Sequence, residues 1–301
     1  MSLLSLTLTL TVAGRTASAC ATCGCGDPTL TAVGIDKPYA NRVRIGLEER
    51  FGGTTAGNPS DPDQFEQTWV LRSSLVATWA PTPRVTIMGT LPVLAIWTYV
   101  APQSPWASSV GLGDAELAAR AIVWRDRAWS PQHMVSLLGG LKLPTGPRIS
   151  DSTGATLAPD DQPGSGSWDP FAGLGYAWFG PTWSAFSSVA YRYTTPGRDG
   201  YRRGQSVGAT AGVQLQPWGR VAFSLAGDFR WSAADQSQTP TGPVDVPNNG
   251  GAMLALTPAL LIAPVSDWII RVAYQIHLGE WLNGIQSEAS AIFVSTVVDL
   301  N

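Results

Sequence analysis

The sequence predicts an all-β protein, a closed antiparallel transmembrane β-barrel of about 12 strands behind a short N-terminal segment. Three observations predict it. Apolar residues recur with period two in segments of about ten residues. The connections between these segments alternate between short and long. Tryptophan, present 13 times in 301 residues, falls mostly at segment ends. The pattern divides the chain into a leader at 1–19, an N-terminal segment at 20–41 and the barrel at 42–301.

The leader has the features of a secretory signal peptide. Leu3 to Gly14 is an apolar run, and Ala17-Ser18-Ala19 offers the small residues that signal peptidase recognises. No lysine or arginine precedes the run, so the true start of the signal peptide stays open. No later stretch reaches about 18 unbroken apolar residues, which excludes a helical membrane protein. We therefore expect an exported chain.

The barrel region is a succession of alternating segments. About twelve begin near Arg42, Trp69, Val85, Asp114, Met134, Asp169, Trp183, Ser206, Val221, Ala252, Trp268 and Ser290. An even number is what single-chain outer-membrane barrels have. The short links lie around Pro81, Arg125 to Gln132, Gly180-Pro181, Pro217 to Arg220 and Pro264 to Asp267. The longer links lie at Gly52 to Gln64, Val100 to Gly111, Pro144 to Ser167, Thr195 to Gly204 and Ser232 to Gly250. This asymmetry predicts periplasmic turns, extracellular loops and periplasmic termini.

Tryptophan placement is an independent sign of a membrane-spanning barrel, because indole rings prefer the two bilayer interfaces. The tryptophans that share the apolar parity and flank connections are Trp69, Trp79, Trp97, Trp168, Trp178, Trp183, Trp231 and Trp268. Trp124 has the opposite parity, which only a β-bulge would explain. A soluble β-sandwich or lipocalin-like barrel is the alternative, with the apolar face as its core.

Charged residues fall on the polar face of the segments. Because charge facing lipid costs about 2–4 kcal/mol near the bilayer midplane, we expect these residues to line the lumen. The candidates for lumen lining and transport are Arg72, Asp114, Glu116, Arg120, Arg192, Asp228, Arg230 and Arg271, with Arg42 and Arg44 on the same face. Paired charges that merely fill a narrow barrel would produce the same pattern.

All three cysteines lie in the N-terminal segment, at Cys20, Cys23 and Cys25. The CxxC spacing of Cys20 and Cys23 predicts a disulfide in an oxidising compartment. Three thiolates at Cys20, Cys23 and Cys25 could instead hold copper or zinc, and otherwise no cofactor is expected. A lipid anchor on Cys20 is disfavoured because Ala17 stands where a large aliphatic residue is required. We expect the segment to lie in or under the periplasmic mouth.

Three stretches carry a family resemblance: Gly111-Leu112-Gly113-Asp114, Leu141-Lys142-Leu143-Pro144-Thr145-Gly146 and Gln162-Pro163-Gly164-Ser165-Gly166-Ser167-Trp168-Asp169. They resemble the GxGD, LPTG and QPGSGSxD stretches of bacterial outer-membrane transporters of the phenol-degradation MetA-pathway type. The resemblance spans residue 40 to the C-terminus. It implies an outer-membrane β-barrel that moves small hydrophobic or aromatic solutes.

The expected function is thus passive uptake of a small, hydrophobic or aromatic solute through the outer membrane. The alternative is a structural or redox and metal-handling outer-membrane protein whose CxxCxC segment is the working part. No Walker loop or HExxH motif is present, and no enzyme is expected. Expected partners are the lipid bilayer, the solute and the barrel-assembly machinery. Nucleic acid is excluded, because the net charge is −3 without a basic cluster. Oligomeric state and solute identity stay open.

Overall fold

The structure, a computed structural model, describes residues 40–58, 65–101, 106–150, 156–157, 159 and 162–300. The predicted signal peptide and the three cysteines lie outside these residues. Among the described residues, the only helix is a single 3-10 turn, Arg198–Gly200. No helix in this part of the chain is long and apolar enough to cross a membrane.

The described residues form a succession of antiparallel strands. Their bounds are β1 Arg42–Gly57, β2 Phe65–Thr82, β3 Val85–Val100, β4 Ala107–Leu112, β5 Glu116–Arg125, β6 His133–Lys142, β7 Asp169–Phe179, β8 Trp183–Arg192, β9 Ser206–Trp218, β10 Val221–Ser232, β11 Gln236–Thr239, β12 Gly242–Asp245, β13 Gly251–Val265, β14 Trp268–Leu282, β15 Gln286–Glu288 and β16 Ala291–Leu300. β11 and β12 form a separate hairpin within one connection.

The remaining strands close into a barrel of 12 strands, because two neighbouring pairs each act as one interrupted strand. β4 and β5 both pair with β3, one after the other along its length. β15 and β16 likewise both pair with β1. β1 also pairs with β2, so no strand edge is left open along the main ladder. The predicted all-β, closed antiparallel barrel is confirmed.

Some strands extend beyond their predicted ends. β1 continues through Gly52 and Gly53 to Gly57, where a loop was expected from Gly52 onward. β4 likewise lies inside the expected loop Val100 to Gly111. Glycine and threonine in these stretches indicate loops, yet their backbone groups still complete the ladder, as in the pairs Gly53 with Trp69 and Thr54 with Thr68. A partner strand thus overrides local composition here.

The barrel has two different ends. At the turn end, the strands are joined by short connections at 83–84, 126–132, 180–182, 219–220 and 266–267. At the loop end, they are joined by segments at 58–64, 101–106, 143–168, 193–205, 233–250 and 283–285. The alternation of short and long links follows the prediction only in part. The turn-end link 126–132 is as long as 58–64 and longer than 101–106, and the last loop-end link is short.

The outer face of the strands is apolar and exposed. On β2, Leu75 and Trp79 are 50% and 48% exposed, whereas their neighbours Ser74 and Thr78 are buried. On β5, the register shifts between Ile122 and Trp124, so that Val123 and Trp124 are both about half exposed. A β-bulge therefore explains the parity of Trp124.

Candidate functional site: the barrel interior

The turn-end half of the interior is packed with apolar side chains. The cluster consists of Ile122, Met134, Ala177, Phe179, Phe186, Ala222, Ala226, Ala259, Leu261, Ala263, Ile269 and Ala273, with Phe293 packed against it. These residues come from β5 to β8, β10, β13 and β14, mostly near the turn end of each strand. Many are alanines, which bring the facing walls close together. The cluster gives this part of the interior a largely hydrocarbon lining, in which Arg271 lies directly opposite Leu261 on the ladder.

The residues predicted to line the lumen all lie on the barrel-interior side of the wall, opposite the exposed apolar face. Asp114 lies between β4 and β5, and the others lie on β2, β5, β8, β10 and β14. Arg120 and Arg271 are almost completely buried, at 1% and 6% exposure. Their part in transport stays a prediction. Two further interior arginines, Arg42 and Arg44, form ion pairs with Asp299 at the start of β1.

Several of these charges are matched by partners. Arg192 on β8 forms a bidentate ion pair with Glu116 on β5, with Nη1 and Nη2 at 2.8 and 3.1 Å from the two carboxylate oxygens. The Arg192 guanidinium also lies 4.7 Å from the centroid of the Phe171 ring. Arg230 forms an ion pair with Glu288 on β15. The structure therefore brings two of the predicted residues together and pairs a third with a residue that the sequence did not single out.

Asp228 is satisfied by hydroxyl groups instead of a cation. Thr210 on β9 donates a hydrogen bond to its Oδ1 at 2.7 Å, and Thr257 on β13 donates to its Oδ2 at 2.6 Å. These two strands flank β10, so the carboxylate is held from both sides of its own strand. Although Arg230 follows on the same face, it is directed to Glu288.

A buried polar cluster joins the three stretches that carry the family resemblance. We call it the loop knot, and it consists of Asp114, Lys142, Ser165, Ser167 and Asp169. The Lys142 ammonium lies 3.3 Å from Asp114 Oδ2 and 2.6 Å from Asp169 Oδ2. Ser165 donates to Asp114 at 2.9 Å, and Ser167 donates to Asp169 at 3.1 Å. Every charge in the loop knot thus has a partner.

Backbone groups complete the loop knot. The N–H groups of Gly146 and Gly166 donate to the two oxygens of Asp114, each at 3.0 Å. A Cβ atom on Gly164 would approach Asp114 Oδ1 to 2.7 Å and Gly146 Cα to 3.0 Å, so the two glycine backbones can pack only without side chains. These hydrogen bonds therefore hold the connection between β6 and β7 against Asp114, which lies between β4 and β5.

The side chain of Gln162 orders the same connection from within. It is 4% exposed, and its amide accepts from Ile149 N–H at 2.9 Å. It also donates to the carbonyls of Ile149 and Leu157 at 2.9 and 3.0 Å. The amide thereby forms hydrogen bonds with backbone groups of the kind that a neighbouring strand forms elsewhere in the barrel.

Sequence reasoning recognised the motif residues but missed Lys142, Ser165, Ser167 and Asp169 as members of one site. Their glycine-rich, short-chain surroundings were the available signal, because close backbone approach requires small residues. The pairing of Lys142 with Asp114 could not be deduced, since 28 positions separate them.

A second cluster contrasts with the loop knot, and we call it the arginine row. Arg50 on β1 and Arg72 on β2 are direct partners across the ladder. On one side, Arg50 is paired with Phe293, whose ring centroid lies 5.6 Å from the guanidinium carbon. On the other side, Arg72 is paired with Leu94. The row therefore reads Phe293, Arg50, Arg72, Leu94 around the inner wall.

The charges of the arginine row are not matched by contacts. Arg72 Nε donates to Ser74 Oγ at 3.2 Å, and the Arg50 guanidinium has the Phe293 ring as its neighbour. Within the part of the chain that the structure describes, neither guanidinium has a carboxylate within 4.0 Å. Arg50 was not among the predicted site residues, although it shares the parity of Arg42 and Arg44.

No metal site is found in the described ranges, where no group of three or more His, Cys, Asp or Glu residues could hold an ion. Because Cys20, Cys23 and Cys25 lie outside those ranges, the predicted disulfide and the copper or zinc alternative stay predictions. Each histidine has a local partner: His133 Nδ1 lies 2.7 Å from the Tyr176 hydroxyl, and His277 Nδ1 lies 3.0 Å from Glu280 Oε1.

An apolar exterior, a closed ladder and a charged interior together define a transmembrane β-barrel of the outer-membrane type. The fold is similar to that of the COG4313 outer membrane channel from Pseudomonas putida F1, with a TM-score of 0.63 and 13% identity over 87% of this chain and 97% of that one. No protein-family model and no curated protein matches the chain by sequence.

Two other solved barrels align with lower scores. The translocator domain of the autotransporter NalP from Neisseria meningitidis has a TM-score of 0.49 and 13% identity, over 90% of this chain and 93% of that one. A deletion mutant of the TodX monoaromatic hydrocarbon channel has 0.48 and 9%, over 88% and 91%.

Proposed function

We propose that this chain is an outer-membrane channel through which small hydrophobic or aromatic solutes pass without an energy source. The observation that carries the proposal is the fold similarity to a solved outer membrane channel along 87% of this chain and 97% of that one. In this proposal the loop end faces the cell exterior and the turn end faces the periplasm, as is usual for outer-membrane barrels.

The chemistry of the interior supports a solute that is partly apolar. A solute entering from the loop end meets charged side chains first, including those of Arg50, Arg72 and Arg230. Further on, it meets the apolar cluster around Phe186 and Leu261, in which both side chains are at most 3% exposed. Hydrocarbon walls interact poorly with strongly hydrated ions but well with apolar groups. An interior that offers both charged and apolar side chains favours amphipathic solutes.

The partners in this proposal are the outer-membrane bilayer, the solute and the barrel-assembly machinery. No catalytic role is proposed, since the site supports binding and passage only. The metal-handling alternative depends on Cys20, Cys23 and Cys25, and counting free thiols on the purified chain would test it. One free thiol is expected if Cys20 and Cys23 form the disulfide.

Reconstitution into liposomes tests the channel directly. Swelling rates would be measured with small neutral aromatic solutes and with sugars of similar size, and single-channel conductance in planar bilayers would be recorded on the same preparation. We expect faster entry of the aromatic solutes than of the sugars. Liposomes that swell no faster than those containing heat-unfolded protein would contradict the proposal, as would equal rates for both solute classes.

A further inference from the structure

The arginine row has an unusual arrangement of charge. Two like charges at directly opposed positions of a ladder have Cβ atoms about 5 Å apart and destabilise the pair. Arg50 and Arg72 occupy such positions, on the interior face. Neither has a carboxylate within 4.0 Å among the described residues, whereas Arg192 and Arg230 on the same inner wall each have one. The arginine row therefore differs from Arg192 and Arg230 in having no ion-pair partner among the described residues.

Geometry indicates which kind of anion fits. Two guanidinium groups side by side present several N–H donors, which match the two oxygens of a carboxylate. Phe293 and Leu94 continue the row on either side, and Ile96 follows Leu94 on the same face of β3 with 6% exposure. A small anion such as chloride would leave these apolar groups uncovered. An aromatic carboxylate would place its head between the arginines and its ring on Phe293 or Leu94.

We propose that Arg50 and Arg72 form a binding site for small organic carboxylates, such as aromatic acids, on the inner wall of the barrel. The proposal deepens the proposed channel function by naming a class of solute. It also extends the predicted interior set, because Arg50 was not part of it. Arg230, already held by Glu288, adds positive charge to the approach without occupying the site.

The local charge balance supports an anion over a cation. Arg72, Arg230, Glu48 and Glu288 all lie close enough to Arg50 to act on it electrostatically. Together with Arg50, these side chains carry an excess of one positive charge. A monovalent carboxylate would neutralise it, and the low dielectric of a partly buried site strengthens the attraction.

The test measures binding and conduction separately on the full chain. Benzoate, benzyl alcohol and phosphate are titrated into detergent-folded protein by calorimetry, and each is then tested for block of the chloride current in planar bilayers. We expect benzoate to bind at least about tenfold more tightly than either of the others, since the alcohol lacks the charge and phosphate lacks the ring.

Variants assign the effect to the arginine row. Arg50→Gln and Arg72→Gln should each weaken benzoate binding about tenfold or more, and Arg50→Lys should restore part of it because the charge remains but the planar fork is lost. Arg84→Gln removes an exposed arginine at the turn end and should leave binding unchanged. Heat-modifiable migration on gels shows that each variant is folded.

The outcomes separate this inference from the channel proposal. A protein that conducts and passes neutral aromatics, but binds benzoate equally well with Gln at residues 50 and 72, overturns the carboxylate site and leaves the channel standing. A protein that binds benzoate through Arg50 and Arg72 but never conducts supports the site and contradicts the channel. Phosphate binding as tight as that of benzoate overturns the organic part of the proposal.

Discussion

The loop knot and the arginine row both place several charged side chains inside the barrel, yet they are built in opposite ways. In the loop knot, Lys142 lies between Asp114 and Asp169, and hydroxyl and backbone N–H groups complete the hydrogen bonding. In the arginine row, Arg50 and Arg72 are direct partners across the ladder, and the described residues offer them no carboxylate within 4.0 Å.

The contrast separates structural charge from functional charge inside a barrel. A buried charge whose partners are all supplied by the chain stabilises one arrangement of that chain, and its removal is costly. A charge that the chain leaves unmatched adds little to folding and is available to a solute. Position on the interior face does not distinguish the two, but the completeness of hydrogen bonding does.

Removing the cation of the loop knot should give the largest effect. Lys142→Met leaves Asp114 and Asp169 as two neighbouring carboxylates, both about 2% exposed, without a counter-charge. Breaking a buried ion pair from one side costs about 3–5 kcal/mol. The free energy of unfolding, measured with urea in detergent micelles, should fall by this amount.

The matched control is Arg148→Met, which removes the exposed ion pair of Arg148 and Asp199 on neighbouring connections. Exposed pairs contribute about 0–1 kcal/mol, so this variant should unfold nearly as the unmodified chain does. Equal losses in the two variants would show that the loop knot is not a special structural element.

Adding a methyl group to the loop knot should have an intermediate effect. In Gly164→Ala, the new Cβ would meet Asp114 Oδ1 at 2.7 Å and Gly146 Cα at 3.0 Å. Overpacking of this kind costs about 1–3 kcal/mol. Gly139→Ala is the control, because a Cβ at Gly139 finds no atom within 4 Å. Urea unfolding of both variants measures the difference, and a Gly164→Ala variant as stable as the control would contradict the tight packing.

Neutralising one side of the arginine row should change selectivity more than stability. Arg50→Gln removes repulsion between opposed like charges, which contributes about 0.2–1 kcal/mol, so the free energy of unfolding should stay level or rise slightly. The reversal potential in a potassium chloride gradient should shift toward cation preference. A loss of stability as large as that of Lys142→Met would remove the distinction between the two clusters.

The smallest expected effect concerns Asp126, a carboxylate at the turn end. Asp126 Oδ1 accepts hydrogen bonds from the backbone N–H groups of His133 and Gln132 at 3.0 and 2.9 Å, and these bonds, with Arg127 nearby, lower the pKa of Asp126. Because the pKa of Asp126 is lower in the folded chain than in the unfolded chain, its ionised carboxylate stabilises the fold above the ordinary carboxyl pKa of about 4. This stabilisation is lost as the pH falls below that value.

Asp126→Asn should therefore reduce the fall in unfolding midpoint between pH 6 and pH 3, by a small amount. Urea titrations at the two pH values, in the same detergent, measure it. The same pH dependence in the variant and the unmodified chain would show that the turn makes no such contribution.

Much of the fold was predictable because a barrel wall imposes a strict period of two on its strands. The predicted starts at Arg42, Val85, Asp169, Trp183 and Val221 agree with the structure to the residue. Strand ends at the loop end were predicted less well. There, β1 and β2 continue through glycine and threonine, whose composition indicates loops although a partner strand is present.

The contacts between interior side chains were less predictable than the strands of the barrel wall. The alternation of residues along each strand predicted that Arg72 and Arg230 lie on the interior face, because a charged side chain that faces lipid costs free energy. The same alternation does not predict which charged side chains meet, since their pairing depends on the order and stagger of the strands. Lys142 is the clearest example, as it joins Asp114, between β4 and β5, to Asp169, the first residue of β7.

The spacing of the tryptophans has a consequence for how deeply the protein sits in its membrane. Trp69 and Trp79 on β2 are ten residues apart, and so are Trp168 and Trp178 at the two ends of β7. Ten residues of a strand tilted by roughly 40° span about 25 Å along the barrel axis, which is the height of the apolar band in outer-membrane barrels. β2 has 18 residues and β7 has 11, yet both carry a band of the same height. The apolar band is therefore equally high at these two strands, and the additional residues of β2 extend beyond the lipid-facing part of the wall.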